Sequence, residues 1–581
     1  MIRKVVALAG VVGLLVAFSG NRWGSHINIG VPGVRYAVHF LAGGSDYGAA
    51  VNAAYADCLA DGNDMCIIQL PRSETLSQST MIDFCNETGV TGPTGVTLRG
   101  HGANRAGASG TLLTASASFR PAAITGAMEV VQDVVQGDGV ARDEIRCAAC
   151  DFRGDGLERG TFITTTDFTN AANNITSSEV PLLVWRAETT TLVVESAIAQ
   201  DAGLVTEGVG GDEDVQPLPP QVFACARNTR IEGIGFSGGT TNADFGVIFW
   251  SDNWVDDLCI DLDDPFDYCT GDAVGSGEAN PTVIGTFFED GWVGHHVWGG
   301  IFVTSTNSMG QADATTIRDA EVYSEKYGIW IDNGQAQPSV LVHNVHINRV
   351  RKRGLYVSAG GVDFDHSGII TDPATSCSGD ACDCANDTYG DCWMAYIEAN
   401  NIDNSECRNS VIEVTAGDGW HIHPGNSSNS RKTFAFRDCT FLANYDADPT
   451  AIKLLEHDQG GGLVLDGSRF NTTASGVTTA PTVTIASSFD GASPLILDAV
   501  PVLTVTGSGG SVAPTFFVDD SVQNHGMPVV THATDCEART DGTNGQECIE
   551  LDRASAGTDP SWICVPSAGM CDSAAEWFGP F

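Results

Sequence analysis

Apolar positions along this chain recur in a six-residue pattern: apolar, any residue, then Gly, Asp or Asn, apolar or small, any residue, apolar. It reads Ile231-Glu-Gly233-Ile-Gly-Phe236, Val283-Ile-Gly285-Thr-Phe-Phe288, Ile317-Arg-Asp319-Ala-Glu-Val322, Val342-His-Asn344-Val-His-Ile347, Phe436-Arg-Asp438-Cys-Thr-Phe441 and Leu465-Asp-Gly467-Ser-Arg-Phe470. The third position always holds a residue that tolerates the left-handed backbone region. A strand can therefore bend there and run on as another strand. Where copies are neighbours they lie roughly 25–35 residues apart, the range of stacked supersecondary repeats. A strand, a sharp bend, a second strand and a wider loop make one coil of a parallel β-solenoid.

Most copies are followed by a Gly or a turn and then by an alternating strand: Gly246-Val-Ile-Phe-Trp250, Gly300-Ile-Phe-Val-Thr304, Gly328-Ile-Trp-Ile-Asp332, Gly354-Leu-Tyr-Val-Ser358 and Gly419-Trp-His-Ile-His423. A period of two sends successive side chains to opposite faces. Val247, Phe249, Ile301, Val303, Ile329, Ile331, Leu355, Val357, Trp420 and Ile422 are then expected inside. Ile248, Phe302, Trp330, Tyr356 and His421 are expected outside as one column, with Trp250, Thr304, Asp332, Ser358 and His423 beside it. Stacking lets the coils bury a continuous core that no single coil could bury alone.

The N-terminal stretch reads Gly44-Ser-Asp-Tyr-Gly-Ala-Ala-Val-Asn-Ala-Ala-Tyr55, then Cys66-Ile-Ile-Gln-Leu-Pro71, then Gly95-Val-Thr-Leu-Arg-Gly-His-Gly102. With the repeats, it resembles the right-handed parallel β-helix proteins of the pectate-lyase-like group, over about 66–114 and 225–515. The resemblance implies a short helix closing the open end of the solenoid. Residues 46–61 suit that helix, with Ser45 as N-cap, Gly62 as stop and an apolar stripe of Val51, Ala54, Tyr55, Cys58 and Leu59. The fold hosts lyases, hydrolases, epimerases, phage tailspikes and adhesins, so it does not name an activity. Gly100-His101-Gly102 matches a short element of polygalacturonase-like hydrolases, but the accompanying Asn-Thr-Asp and Arg-Ile-Lys elements are absent. The Asp-Pro-His tract of alginate epimerases is absent too, since Asp365-His366 lacks the proline.

The domain order follows. Residues 1–19 read as a signal peptide, with Met1-Ile-Arg-Lys, an apolar run Val5–Phe18 and small residues at Ala17-Phe18-Ser19. That run is too short to span a bilayer comfortably, and no later segment reads as a membrane span. Residues 20–65 form the cap and 66–114 the first coils. Residues 115–224 break the repeat as an inserted β-rich region, 225–515 carry the β-helix, and 516–581 form a small disulfide-tied C-terminal module. Eighteen cysteines in an exported chain point to disulfides. Zinc is the rival for the clusters at 377–392 and 536–571, but neither has paired Cys-x-x-Cys spacing.

A formal charge of −44, with only five lysines, excludes nucleic acid and anionic membrane surfaces as partners. It also repels polyuronates unless a cation bridges. Calcium is the candidate cofactor, in an acidic loop holding Asp261, Asp263, Asp264 and Asp267, or in a second holding Asp380, Asp383, Asp387 and Asp391. Neither is an EF-hand, and solvated acidic loops look the same.

The candidate ligand surface is the outward column Phe302, Trp330, Tyr356 and His421, because aromatic faces stack on sugar rings. An aromatic ladder that only stabilises the sheet, or an inserted domain packed over it, would explain the column equally well. Hydrolysis needs two carboxylates flanking the bond, and Asp332, Asp363, Asp365 and Glu325 are candidates. Lyase chemistry needs a base, for which His366, His421 and His423 are candidates, and a cation such as Arg349, Arg351 or Arg353 to pair the uronate. The catalytic set expected is Asp332, Asp363, Asp365 and His423. The expectation is an all-β, secreted or cell-surface parallel β-helix that binds, and as a lyase or glycosidase cleaves, a polysaccharide or cell-surface glycan. The rival is a non-catalytic structural or adhesive protein, a fibre subunit or tailspike-like homo-oligomer.

Overall fold

The computed structural model of the chain describes residues 33–61, 65–84, 95–103, 110–136, 141–157, 161–175, 181–196, 204–224, 229–239, 242–251, 287–296, 298–305, 315–323, 327–332, 338–349, 352–370, 393–397, 405–414, 418–422, 433–443, 453–457 and 462–472. It describes the backbone alone of short strands from 482 to 578. Strand, bend and strand repeat through the chain as expected. A 21-stranded parallel sheet folds at the bends into two limbs, and an eleven-stranded parallel sheet closes the third side. One coil runs Thr315–Tyr323, bending at Asp319, then Tyr327–Asp332; the next runs Pro338–Asn348, bending at Asn344, then Arg353–Ala359. In-register pairs such as Ile317↔Val342, Val322↔Ile347 and Ile329↔Leu355 stack them. The chain is a parallel β-helix.

The bends form one column. From Gly233 onward it runs Gly233, Asp290, Asp319, Asn344, His366, Asn409, Asp438 and Gly467, all with φ between 46° and 66°. The N–H of a bend residue donates to the carbonyl just before the bend in the next coil: Gly233 to Glu289, Asp290 to Arg318, His366 to Arg408, Asn409 to Arg437 and Asp438 to Asp466. Gly285 lies outside the described residues. The bend of its coil is Asp290, and the motif recurs there as Phe288-Glu-Asp290-Gly-Trp-Val293. Two coils unread in the sequence, bending at His366 and Asn409, complete the series.

Just past the bend the side chain turns inward, and several coils place a hydroxyl there. Ser367 Oγ accepts from Val345 N–H at 3.0 Å and donates to the Asp365 carbonyl at 2.8 Å, while Ser410 Oγ accepts from Ser367 N–H at 3.1 Å. Ser367→Ala would leave the buried Val345 N–H without its acceptor. We expect a loss of about 1–3 kcal/mol in chemical denaturation; a change within experimental error would show that the hydroxyl column adds nothing.

The interior positions expected from alternation are all inside: Val247, Phe249, Ile301, Val303, Ile329, Ile331, Leu355, Val357, Trp420 and Ile422 belong to one continuous buried core. The helix Tyr47–Ala60 packs on the first strands with Val51, Ala54, Tyr55 and Cys58 buried in that core. Its N-cap is Asp46 rather than Ser45. The Asp46 carboxylate accepts from Gly48 N–H and also from Ser79 N–H, both at 3.0 Å, and so ties the helix start to the first coil. Gly62 lies outside the described residues.

An antiparallel seven-stranded sheet, from Ile124–Gly126 to Glu213–Leu218, interrupts the second coil and has its own core. The strand Pro220–Ala224 that follows it already belongs to the solenoid, pairing in parallel with Phe245–Ser251. Cys58–Cys66 and Cys147–Cys150 are bridged, whereas Cys407 and Cys439 are buried thiols. These two sit inside the coils as small apolar fillers. The signal segment 1–19 and both acidic loops, with Asp261, Asp263, Asp264, Asp267, Asp380, Asp383, Asp387 and Asp391, lie outside the described residues.

Candidate functional site

The aromatic column forms in register, Ile248↔Phe302↔Trp330↔Tyr356↔Tyr396↔His421, but it is not a ligand surface. Phe302, Trp330 and Tyr356 are each 1% exposed and His421 8%. The inserted sheet covers the column from Ile248 to Tyr356, and His421 packs against the rings of Trp393 and Tyr396 at 4.5 and 4.8 Å. Phe162, Leu183, Trp185, Val193 and Leu218 share one apolar cluster with Phe245, Ile248, Phe302, Trp330 and Tyr356, and the Phe162 ring stacks on Phe245 at 4.2 Å. This corrects the assignment of Phe302, Trp330, Tyr356 and His421 to sugar stacking. A face of that many rings gains more from burial under a second sheet than from exposure to water.

Asp332 is half-buried and accepts from Ser358 Oγ at 3.0 Å, and Ser358 Oγ also accepts from Trp330 Nε1 at 3.0 Å. Asp332 therefore lies beside the buried column rather than in a cleft. A register shift in this strand pairs Asp332 with Ala359, so Ser358 leaves the column expected for it. His423 and Glu325 lie outside the described residues. Arg353 lies over the rings of Tyr356 and Tyr396, at 4.3 and 4.2 Å, which assigns it to the same packing.

The two remaining candidates point elsewhere, to the outer face of the first limb. There a line of charged residues runs in register just before the bends: Arg99, Glu232, Glu289, Arg318, His343, Asp365, Arg408, Arg437 and Asp466. Ion pairs link neighbours: Arg230–Glu289 at 2.9 Å, Arg318–Glu289 at 2.5 Å and Arg437–Asp466 at 2.9 Å. Asp363 pairs with Arg408 at 2.8 Å. Asp365 accepts from the Nδ1 of His343 at 3.0 Å and of His366 at 2.8 Å. Burial opposes its charge, but the hydrogen bonds from His366, His343 and Asn409 outweigh this and hold its carboxyl below the ordinary carboxylate range. Asp363 and Asp365 thus sit in an ion-pair stripe, each held by cations or imidazoles.

Across the bend lies an open groove of about 330 Å³ lined by Ala103, Gly291, Trp292, Asp319, Ala320, Glu321, Asn344 and His346. Three adjacent coils build most of it, with Trp292, Glu321 and His346 stacked in register on the second limb, and Ala103 joins from an earlier coil. The Trp292 ring forms part of an aromatic group with His295 at 5.7 Å and Tyr323 at 6.5 Å. Asp319 accepts from Asn344 Nδ2 at 2.7 Å and Glu321 from Asn348 Nδ2 at 2.6 Å, so both carboxylates are fixed by amides of the next coil. Asp319, Asn344 and His346 are exposed. One bend earlier, burial and then the Asp319 and Glu232 charges push the Asp290 carboxyl up. A carboxyl that holds its proton more tightly than usual is one element of acid–base chemistry. Sequence reasoning used Asp319 and Asn344 only as bend formers and passed over Trp292, Glu321 and His346. Yet the quoted motif Val342–Ile347 already held two histidines at outward positions.

No family model and no curated protein matches the chain. Solved structures similar to it are phage tailspikes. Tailspike protein gp49 of Pseudomonas phage LKA1 is 11% identical over 83% of this chain and 73% of its own, with a TM-score of 0.27. Tailspike gp61 of Pseudomonas phage phi297 is 13% identical over 86% and 74%, with a TM-score of 0.21. The gp54 tailspike of Acinetobacter baumannii bacteriophage AP22, solved with a capsular saccharide, is 9% identical over 89% and 79%, with a TM-score of 0.20. At these overlaps the likeness decides nothing about what this chain binds. The resemblance to pectate-lyase-like proteins rests on the sequence motifs alone.

Proposed function

We propose that this is an exported β-helix protein that binds an extracellular polysaccharide in the groove of the second limb. The carrying observation is the groove itself, where a buried Trp292 shows only an edge of its ring and the hydrogen-bonding groups of Asp319, Glu321, Asn344 and His346 converge beside it across three coils. Sugar rings call for this pairing of an apolar face with convergent polar groups. A groove open at the surface and built from successive coils suits a chain of residues better than a small molecule. Because the protein carries a charge of −44, neutral polysaccharides are the favoured class.

The test is a glycan array on wild type and on the double variant Glu321→Gln/His346→Ala, both changes lying on the outer face. Losing two polar contacts is expected to weaken retention of the bound glycan about tenfold or more. Equal retention by a folded double variant would favour the structural or adhesive alternative. The same samples are assayed for reducing ends and unsaturated products. New reducing ends that disappear in Asp290→Asn would add hydrolysis, with Asp290, whose carboxyl is pushed up by burial, as the acid.

A further inference from the structure

We propose that His343, Asp365 and His366 form a binding site for a divalent transition-metal ion on the corner of the solenoid. The three residues come from two adjacent coils. His343 and Asp365 are register partners just before the bend, and His366 is itself the bend residue of the second coil. One ligand atom from each lies within 4.8 Å of the other two. The two imidazole Nδ1 atoms approach different oxygens of Asp365, His343 on Oδ2 at 3.0 Å and His366 on Oδ1 at 2.8 Å, so two nitrogen donors already flank one carboxylate. Asn409 Nδ2 supports the carboxylate from the coil above, at 3.4 Å from Oδ1.

The bend column carries a second observation. From Gly233 to Gly467 its other described members are Gly, Asp or Asn, residues that enter the left-handed region at little cost or with local hydrogen bonding. His366 holds φ 47° there with a bulkier ring. A residue that breaks a local rule kept by its structural equivalents marks a place where something other than folding selects it.

The donor set decides the metal class. Two imidazoles and one carboxylate suit Zn²⁺, Co²⁺, Ni²⁺ or Cu²⁺, whereas Ca²⁺ and Mg²⁺ take all-oxygen shells. Ligand bonds of about 2.0–2.2 Å require the three side chains to draw in around the ion. Their exposure leaves room for this: His343 is 41% and His366 59% exposed, beside a largely covered Asp365 at 14%. In the metal-free protein both Nδ1 atoms donate protons to the carboxylate. In the bound form those protons move to Nε2, which leaves a lone pair on each Nδ1 for the ion. Three protein ligands leave the remaining coordination positions to water or to a ligand from solution.

The experiment is calorimetric titration of the full-length, oxidised protein with Zn²⁺, repeated for His343→Asn/His366→Asn. Asn is accepted at the bend position in neighbouring coils, so this variant keeps the backbone. Wild type is expected to bind one more equivalent of Zn²⁺ than the variant, to gain thermal stability with Zn²⁺ where the variant gains less, and to bind the ion unchanged in excess Ca²⁺. Titration with Co²⁺ should add a ligand-field absorption in wild type alone. Equal stoichiometry and equal Co²⁺ spectra in the two folded proteins would overturn the site and leave a hydrogen-bonded His–Asp–His cluster. Glu321→Gln/His346→Ala should keep the extra equivalent, because its changes lie on the other limb.

Discussion

Trp330→Ala is expected to destabilise the protein by about 3–5 kcal/mol, the usual cost of removing a large buried ring, and to leave glycan retention unchanged. The indole is 1% exposed and lies 4.4 Å from the Phe302 ring, 5.4 Å from Tyr327 and 5.6 Å from Tyr356. Its Nε1 donates to Ser358 Oγ at 3.0 Å. Because this cluster also seats Phe162 and Trp185, the damage should reach the inserted sheet. Limited proteolysis should then cut within Ile124–Leu218 faster than in wild type, and Trp330→Phe, which keeps most of the volume, should recover much of the loss. A Trp330→Ala protein of unchanged stability that no longer retains glycan would reverse the assignment and return the ring to a ligand.

The contrast between Trp330 and His346 shows how far the sequence could be read. Both were legible as outward-facing, since each lies between inward-facing apolar neighbours in a strand of period two: Ile329 and Ile331, Val345 and Ile347. Periodicity resolves a side chain into in or out of the coil. It does not say whether another part of the chain covers the outside. The insert that buries Trp330 folds back from residues 124–218, a contact across more than a hundred residues that no local pattern encodes. The bend column was legible for the opposite reason, because a positive φ restricts residue type at one position. It failed only at His366 and Asn409, where a His or a following polar Ser hid the repeat, and at Gly285, where the true bend lay five residues on. The groove was not legible because its walls come from three coils, and its lateral register depends on loop lengths.

Asp244→Asn is expected to remove a pH dependence of stability that the wild type carries between about pH 4 and 7. Asp244 is fully buried and holds Arg120 by two hydrogen bonds, one of them Nε to Oδ2 at 3.0 Å. Arg120 lies just before the first strand of the insert, Ile124–Gly126, so the pair ties the insert to the solenoid strand Phe245–Ser251. Two effects oppose each other at this carboxyl. Desolvation raises its pKa, while the charges of Arg120 and His296 and the hydrogen bond from Arg120 lower it; burial wins, and the pKa is pushed up to about 6. Over the interval from the unfolded value near 3.8 to about 6, the folded protein holds the proton more tightly than the unfolded chain. The stabilising contribution of this group is therefore complete at low pH and is lost as pH rises through 6. At about 1.4 kcal/mol per pKa unit, wild type should lose about 3 kcal/mol relative to Asp244→Asn across that window. Denaturation of both proteins at a series of pH values measures the difference directly, and other titrating groups cancel in it. Parallel curves would mean that the Arg120 pairing offsets the whole cost of burial, and that the insert is held on the solenoid by an ordinary ionised salt bridge.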